Sequence, residues 1–168
     1  MPRILLLGLV PETVDYSDPA LPPGMTAEKV HAGIAVALKQ FTDRGWESDV
    51  GYIRPDETAG PTVERQLRST NYDCVVVGGG VRLPPRNLAL FEVVINAIRT
   101  VAPGAAIAFN TRPDDSADAA ARGLALARKP SGIVPASNET NYPWKSSQSL
   151  KERRHATGDN RPPRQSIG

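Results

Sequence analysis

DCVVVGGG, residues Asp73 to Gly80, is the most informative stretch of the chain. A cysteine and three valines run without a polar break, and three glycines end the run. A strand covered on both faces reads as such an uninterrupted apolar run, whereas an edge strand carries polar residues. Cys74–Val77 therefore belongs in the middle of a parallel sheet. Working outward, Arg3 to Val10 (RILLLGLV) is a second buried strand, most continuous over Ile4–Leu7. Asp49 to Arg54 (DVGYIR) is broken by Asp49, Gly51 and Arg54 and reads as an edge. Ala105 to Phe109 follows the turn residues Pro103-Gly104 and supplies a fourth strand.

Helical patterns separate these runs. Thr26 offers an N-cap, with Met25 and Val30 placed as a hydrophobic staple. Val30, Ile34, Leu38 and Phe41 then recur at helical spacing, and Gly45 provides the stop. A short helix starts at Pro61 or Thr62 and turns Val63 and Leu67 inward. Pro85 to Val101 carries two neighbouring apolar stripes, one through Leu88, Phe91, Ile95 and Ile98, the other through Leu90, Val94 and Ala97. That helix is either buried on two sides or meets another subunit. A last helix, capped by Asp115 or Ser116, presents Ala117, Ala120, Ala121 and Leu124.

Strands alternating with helices and short returns imply parallel pairing and right-handed crossovers. The expected fold is α/β, a small three-layer doubly wound sheet of four parallel strands in the flavodoxin-like order 2-1-3-4. The alternative is the half-Rossmann order 3-2-1-4, which would place CVVV at an edge. The domain spans residues 1–129. Residues 130–168 are proline-rich, polar and basic, a composition that reads as a disordered or docking tail.

In open α/β sheets ligands bind beyond the carboxyl ends of the strands, where the strand order reverses. Order 2-1-3-4 puts that crevice between strands one and three, where three loops converge. The first supplies Asp15; the second supplies Gly78, Gly79, Gly80, Arg82 and Arg86; the third supplies Asn110, Thr111 and Arg112. Glycines at a strand exit let backbone N–H groups approach an anion, and paired guanidinium donors clamp phosphate or carboxylate. The same glycines serve equally as a tight turn that packs helix on sheet. Both readings stand at the level of sequence. The expected ligand is a small anion: a nucleotide, phosphate or carboxylate. The alternative function is a non-catalytic interaction module that forms a homo-oligomer through helix 85–101 and binds a partner through the tail.

The named nucleotide motifs fail. From Gly78 the chain reads G-G-G-V-R-L, with Leu83 where a dinucleotide fingerprint has its third glycine. No Gly-Lys-Ser or Gly-Lys-Thr of a P-loop is present. Flavodoxin phosphate loops are rich in Ser, Thr and Gly after strand one, where this chain carries proline and acids. A phosphoacceptor receiver domain resembles the layout but has an acidic residue at the end of strand three, where Gly78-Gly79 stand. Asp15 and Asp18 read as turn formers rather than metal ligands or a base. His31 reads as a helix-surface residue. The sequence names no reaction, cofactor or metal.

Charge narrows the partners. Residues 1–129 hold 14 Lys and Arg against 15 Asp and Glu, so the net charge of +2 resides in the tail. A near-neutral body lacks the clustered cations that nucleic acid requires. Tyr142-Pro143-Trp144 and Lys151–His155 are the tail's apolar and basic clusters. Cys74 is the single cysteine and reads as a buried hydrophobe. The run Ile4–Val10 is too short for a membrane span and lacks a cleavage site, so a cytoplasmic protein is expected.

Overall fold

The computed structural model describes residues 1–128. The chain divides into Met1–Lys129 and Pro130–Gly168. The tail readings, including Tyr142–Trp144 and Lys151–His155, lie outside the described residues.

Four strands, β1 (Arg3–Leu9), β2 (Glu47–Ile53), β3 (Cys74–Val77) and β4 (Ala106–Phe109), form one parallel sheet in the order β2-β1-β3-β4. This is the flavodoxin-like arrangement, and CVVV is central, fully buried at all four positions. The half-Rossmann order does not occur. The helices are α1 (Ala27–Asp43), α2 (Ala59–Ser69), the four-residue α3 (Gly79–Arg82), α4 (Leu88–Val101) and α5 (Ser116–Ala127).

The period of two along each strand sorts the core into two halves. Leu5, Leu7, Leu9, Val75 and Val77 bury against Val63, Leu67, Val94 and Ile98 of α2 and α4. Ile4, Leu6, Cys74, Val76 and Ala108 bury against Ala37, Phe41, Ala117 and Ala120 of α1 and α5. Burial drives the Cys74 thiol up to about 12, so it stays protonated and unreactive.

Several local expectations hold in detail. Thr26 Oγ1 accepts the Lys29 N–H at 3.3 Å and caps α1, and Gly45 takes φ 72° just beyond its end. Others shift. β2 begins at Glu47, whose N–H donates to the Pro2 carbonyl at 3.0 Å, and the Arg3 guanidinium reaches Glu47 and Asp49 at 3.2 and 3.1 Å. α2 begins at Ala59, with Pro61 at its third position, where a missing N–H still removes no intrahelical bond. Asp115 sits at the N-cap of α5 but makes no side-chain cap, since its carboxylate accepts the Thr111 N–H and hydroxyl. Pro85–Asn87 is a 3-10 turn, so α4 proper begins at Leu88. α4 buries Val94, Ala97 and Ile98, half-buries Leu90, Phe91 and Ile95, and exposes Leu88 and Val93. None of the described helices is long and apolar enough to cross a membrane.

Candidate functional site

The segment from Val10 to Thr26 leaves β1 and bends at once in a 3-10 turn, Pro11–Thr13. Its own polar groups hold its course. The Tyr16 hydroxyl donates to the Pro11 carbonyl at 2.8 Å, and the Asp15 carboxylate accepts the N–H and hydroxyl of Ser17. Side-chain contacts tie it to its surroundings: Glu12 meets His31 of α1 at 2.7 Å, and Asp15 meets Arg86 at 2.8 Å. The Ser17 hydroxyl, then Arg86, hold the Asp15 carboxyl down at about 2. Burial raises the Tyr16 phenol above its usual value.

A cavity of about 80 Å³ is lined by this segment, the carboxyl ends of β1 and β2, and α1. β1 contributes Leu6 and Gly8, β2 contributes Val50 and Tyr52, and α1 contributes Val30 and Ile34. Val14, Tyr16, Leu21 and Met25 come from the segment after β1. Gly78–Gly80, Asn110, Thr111 and Arg112 complete the lining. Engineered apolar cavities of ~150 Å³ accept benzene, so this one suits a group of a few carbons.

Gly8 opens onto this cavity. It shares the α1-facing side of β1 with Ile4 and Leu6, and a Cβ built on it meets nothing within 4 Å. Any larger residue would project into the cavity. The three glycines after β3 differ. A Cβ on Gly78 would stand 3.2 Å from the Leu7 carbonyl oxygen. One on Gly79 would stand 3.0 Å from the Thr111 carbonyl oxygen and 3.1 Å from Leu83 Cδ1. One on Gly80 would make only ordinary contacts, at 3.8 and 3.9 Å.

The Gly79 N–H is already engaged. It donates at 2.8 Å to Oδ1 of Asn110, which is 3 % exposed, and Asn110 Nδ2 donates to Ser116 Oγ at 2.8 Å. This buried relay joins the exits of β3 and β4 to the start of α5.

The sequence-named residues therefore separate into three places. Gly78, Gly79, Gly80, Asn110, Thr111 and Arg112 border the apolar cavity. Asp15 and Arg86 line a neighbouring cleft of about 300 Å³ of mixed character, with Leu9, Val14, Pro84 and Asn87. There Arg86 is bound to Asp15, with Asp18 at 3.7 Å. Arg82 lines neither. Its Nη2 donates to the Asn110 carbonyl at 3.0 Å and its guanidinium lies 5.6 Å over the Phe109 ring. Its Nε is buried without a partner among the described residues. Arg112 reaches Asp114 at 3.3 Å and keeps more than half of its side chain exposed.

Sequence reasoning missed Gly8 and the apolar lining. One signal was present: a glycine inside a strand marks close approach of a ligand or of another backbone. Among the described residues no three His, Cys, Asp or Glu side chains gather as a metal site. In comparisons with known proteins, the chain matches no family model and no curated sequence.

Proposed function

We propose that the domain binds a small anionic ligand with an apolar body at the carboxyl ends of its strands. The observation that carries this reading is Gly8, whose absent side chain leaves an apolar cavity open beneath a folded-over segment. Ligand sites are concave and mostly apolar, with a few polar groups that fix orientation. Here the apolar body would lie against Leu6, Val30, Ile34 and Tyr52. The anionic end would face the half-exposed Arg112 guanidinium, since the Thr111 N–H and hydroxyl already donate to Asp115. Of the anions compatible with the sequence, a short-chain carboxylate fits this space better than a nucleotide. The three arginines do not act as one clamp in this reading, because Arg86 is bound to Asp15 and Arg82 turns toward Phe109. A cytoplasmic setting, with Cys74 kept reduced, accompanies the proposal.

The test is thermal unfolding against straight-chain carboxylates of increasing length, alkyl phosphates and nucleotides. A ligand of the folded state adds about 2.7 kcal/mol at one hundred times its dissociation constant. The expected result is stabilisation by carboxylates that strengthens with chain length and then stops, and that weakens in Arg112→Gln. Stabilisation by nucleotides alone, or by nothing in the panel, refutes it.

A second reading, self-assembly through α4, is favoured by the exposed Val93 beside a shallow groove between α2 and α4. Solution mass at micromolar concentration decides it. A dimer that Val93→Lys dissociates supports that reading, and a monomer removes it.

A further inference from the structure

The sheet has two edges of different chemistry. β2 carries Glu47, Ser48 and Asp49 at one edge, with Arg3 on both carboxylates. Charges of this kind discourage pairing with another strand. β4 is uncharged, Ala-Ile-Ala-Phe, and pairs among the described residues only with β3. Its hydrogen-bond parity is legible. The N–H groups of Ala106 and Asn110 donate to Asp73 and Val77 on the β3 side. Residues alternate along a strand, so the N–H and C=O of Ile107 and Phe109 face outward. The Phe109 carbonyl accepts from Arg122 Nη2 at 3.2 Å, which confirms the direction.

Two guanidinium groups flank the far end of this edge. Arg122 comes from α5, and Arg82 lies over the Phe109 ring. Among the described residues neither pairs with a carboxylate. Apolar surface adjoins it: Phe109 is 37 % exposed and packs edge-on against Phe91 at 5.7 Å.

We propose that the outward edge of β4 docks an extended acidic peptide segment of a partner protein, which adds as a fifth strand. Main-chain bonds to Ile107 and to the Phe109 N–H supply the pairing, as in other strand-addition complexes. Carboxylates on the peptide meet Arg82 and Arg122, and this charge match selects an acidic partner over a neutral or basic one. The surface is separate from the cavity beneath the segment after β1.

The probe is a fluorescent peptide of about six residues alternating glutamate and valine, titrated into the full-length protein. Its controls carry lysine for glutamate, or proline for the central valines. The expected result is saturable binding of the acidic peptide alone, weakened by salt and reduced about tenfold in Arg122→Glu. Slowed exchange of the Ile107 and Phe109 amides in the wild-type complex locates the strand without any variant. Equal binding of the lysine peptide overturns the proposal. So does the absence of binding, whether or not a second copy or residues 130–168 already protect those two amides.

Discussion

The exits of β1 and β3 lie side by side and both carry glycine, yet the glycines do opposite things. At the exit of β3, Gly78 and Gly79 stand against the Leu7 and Thr111 carbonyl oxygens, and the Gly79 N–H is bound to Asn110. That glycine-rich turn is a packing device. In β1, Gly8 is a lone glycine in a leucine run, and it faces empty space. Gly78 and Gly79 thus stand where backbones meet, and Gly8 stands where a side chain has been withheld.

The largest effect expected from this contrast is at Gly79. Gly79→Val forces branched carbons against the Thr111 carbonyl and should cost about 3 kcal/mol in denaturant unfolding. A loss near zero would mean that the β3 exit yields easily and the packing account is wrong. Next comes the relay that fixes this turn. Asn110→Ala strands the Gly79 N–H in a buried site, which should cost about 2 kcal/mol in the same measurement. Gly8→Ala moves in the other direction. It restricts the unfolded chain and enters open space, so it should raise stability by about 0.5–1 kcal/mol. Destabilisation there would break the comparison. Gly80→Ala sharpens it, because ordinary contacts predict a change within about 0.5 kcal/mol.

The smallest effect concerns the segment over the cavity. Asp15 is held at about 2 by the Ser17 hydroxyl and by Arg86, below its ordinary 3.8. A depressed carboxyl contributes stability above the unfolded value and loses it as pH falls through the folded one. The wild type should therefore lose a small increment between about pH 4 and pH 2 that Asp15→Asn lacks. The side chain is about half exposed, so solvent screens the effect. Unfolding midpoints of both proteins across that range provide the measurement.

How far the sequence carries depends on which interactions write themselves locally. CVVV announces a central strand because a parallel strand buried on both faces cannot carry polar residues. Its position fixed the order once β2 showed Asp49 and Gly51. The crevice followed from that order, and with it Gly78–Gly80, Asn110, Thr111 and Arg112. The arginines resisted the same logic. Spacing reports where an Arg begins but not which of several partners its long side chain reaches. Arg86 meets Asp15 from 71 positions away, and Arg82 finds Phe109 and Asn110. The α3 turn was equally hidden, because three glycines specify no helix. Gly8 was visible as a letter but not as a void, since a void exists only after α1 and the segment after β1 have folded over it.

Thermal unfolding of wild type and Gly8→Val, with and without hexanoate, decides whether a ligand enters the space beside Gly8. Valine suits a strand and would occupy the space that Gly8 leaves. The account predicts that hexanoate raises the wild-type midpoint, and that Gly8→Val folds at least as stably but no longer responds. An equal response in both proteins would place the ligand elsewhere and contradict the account.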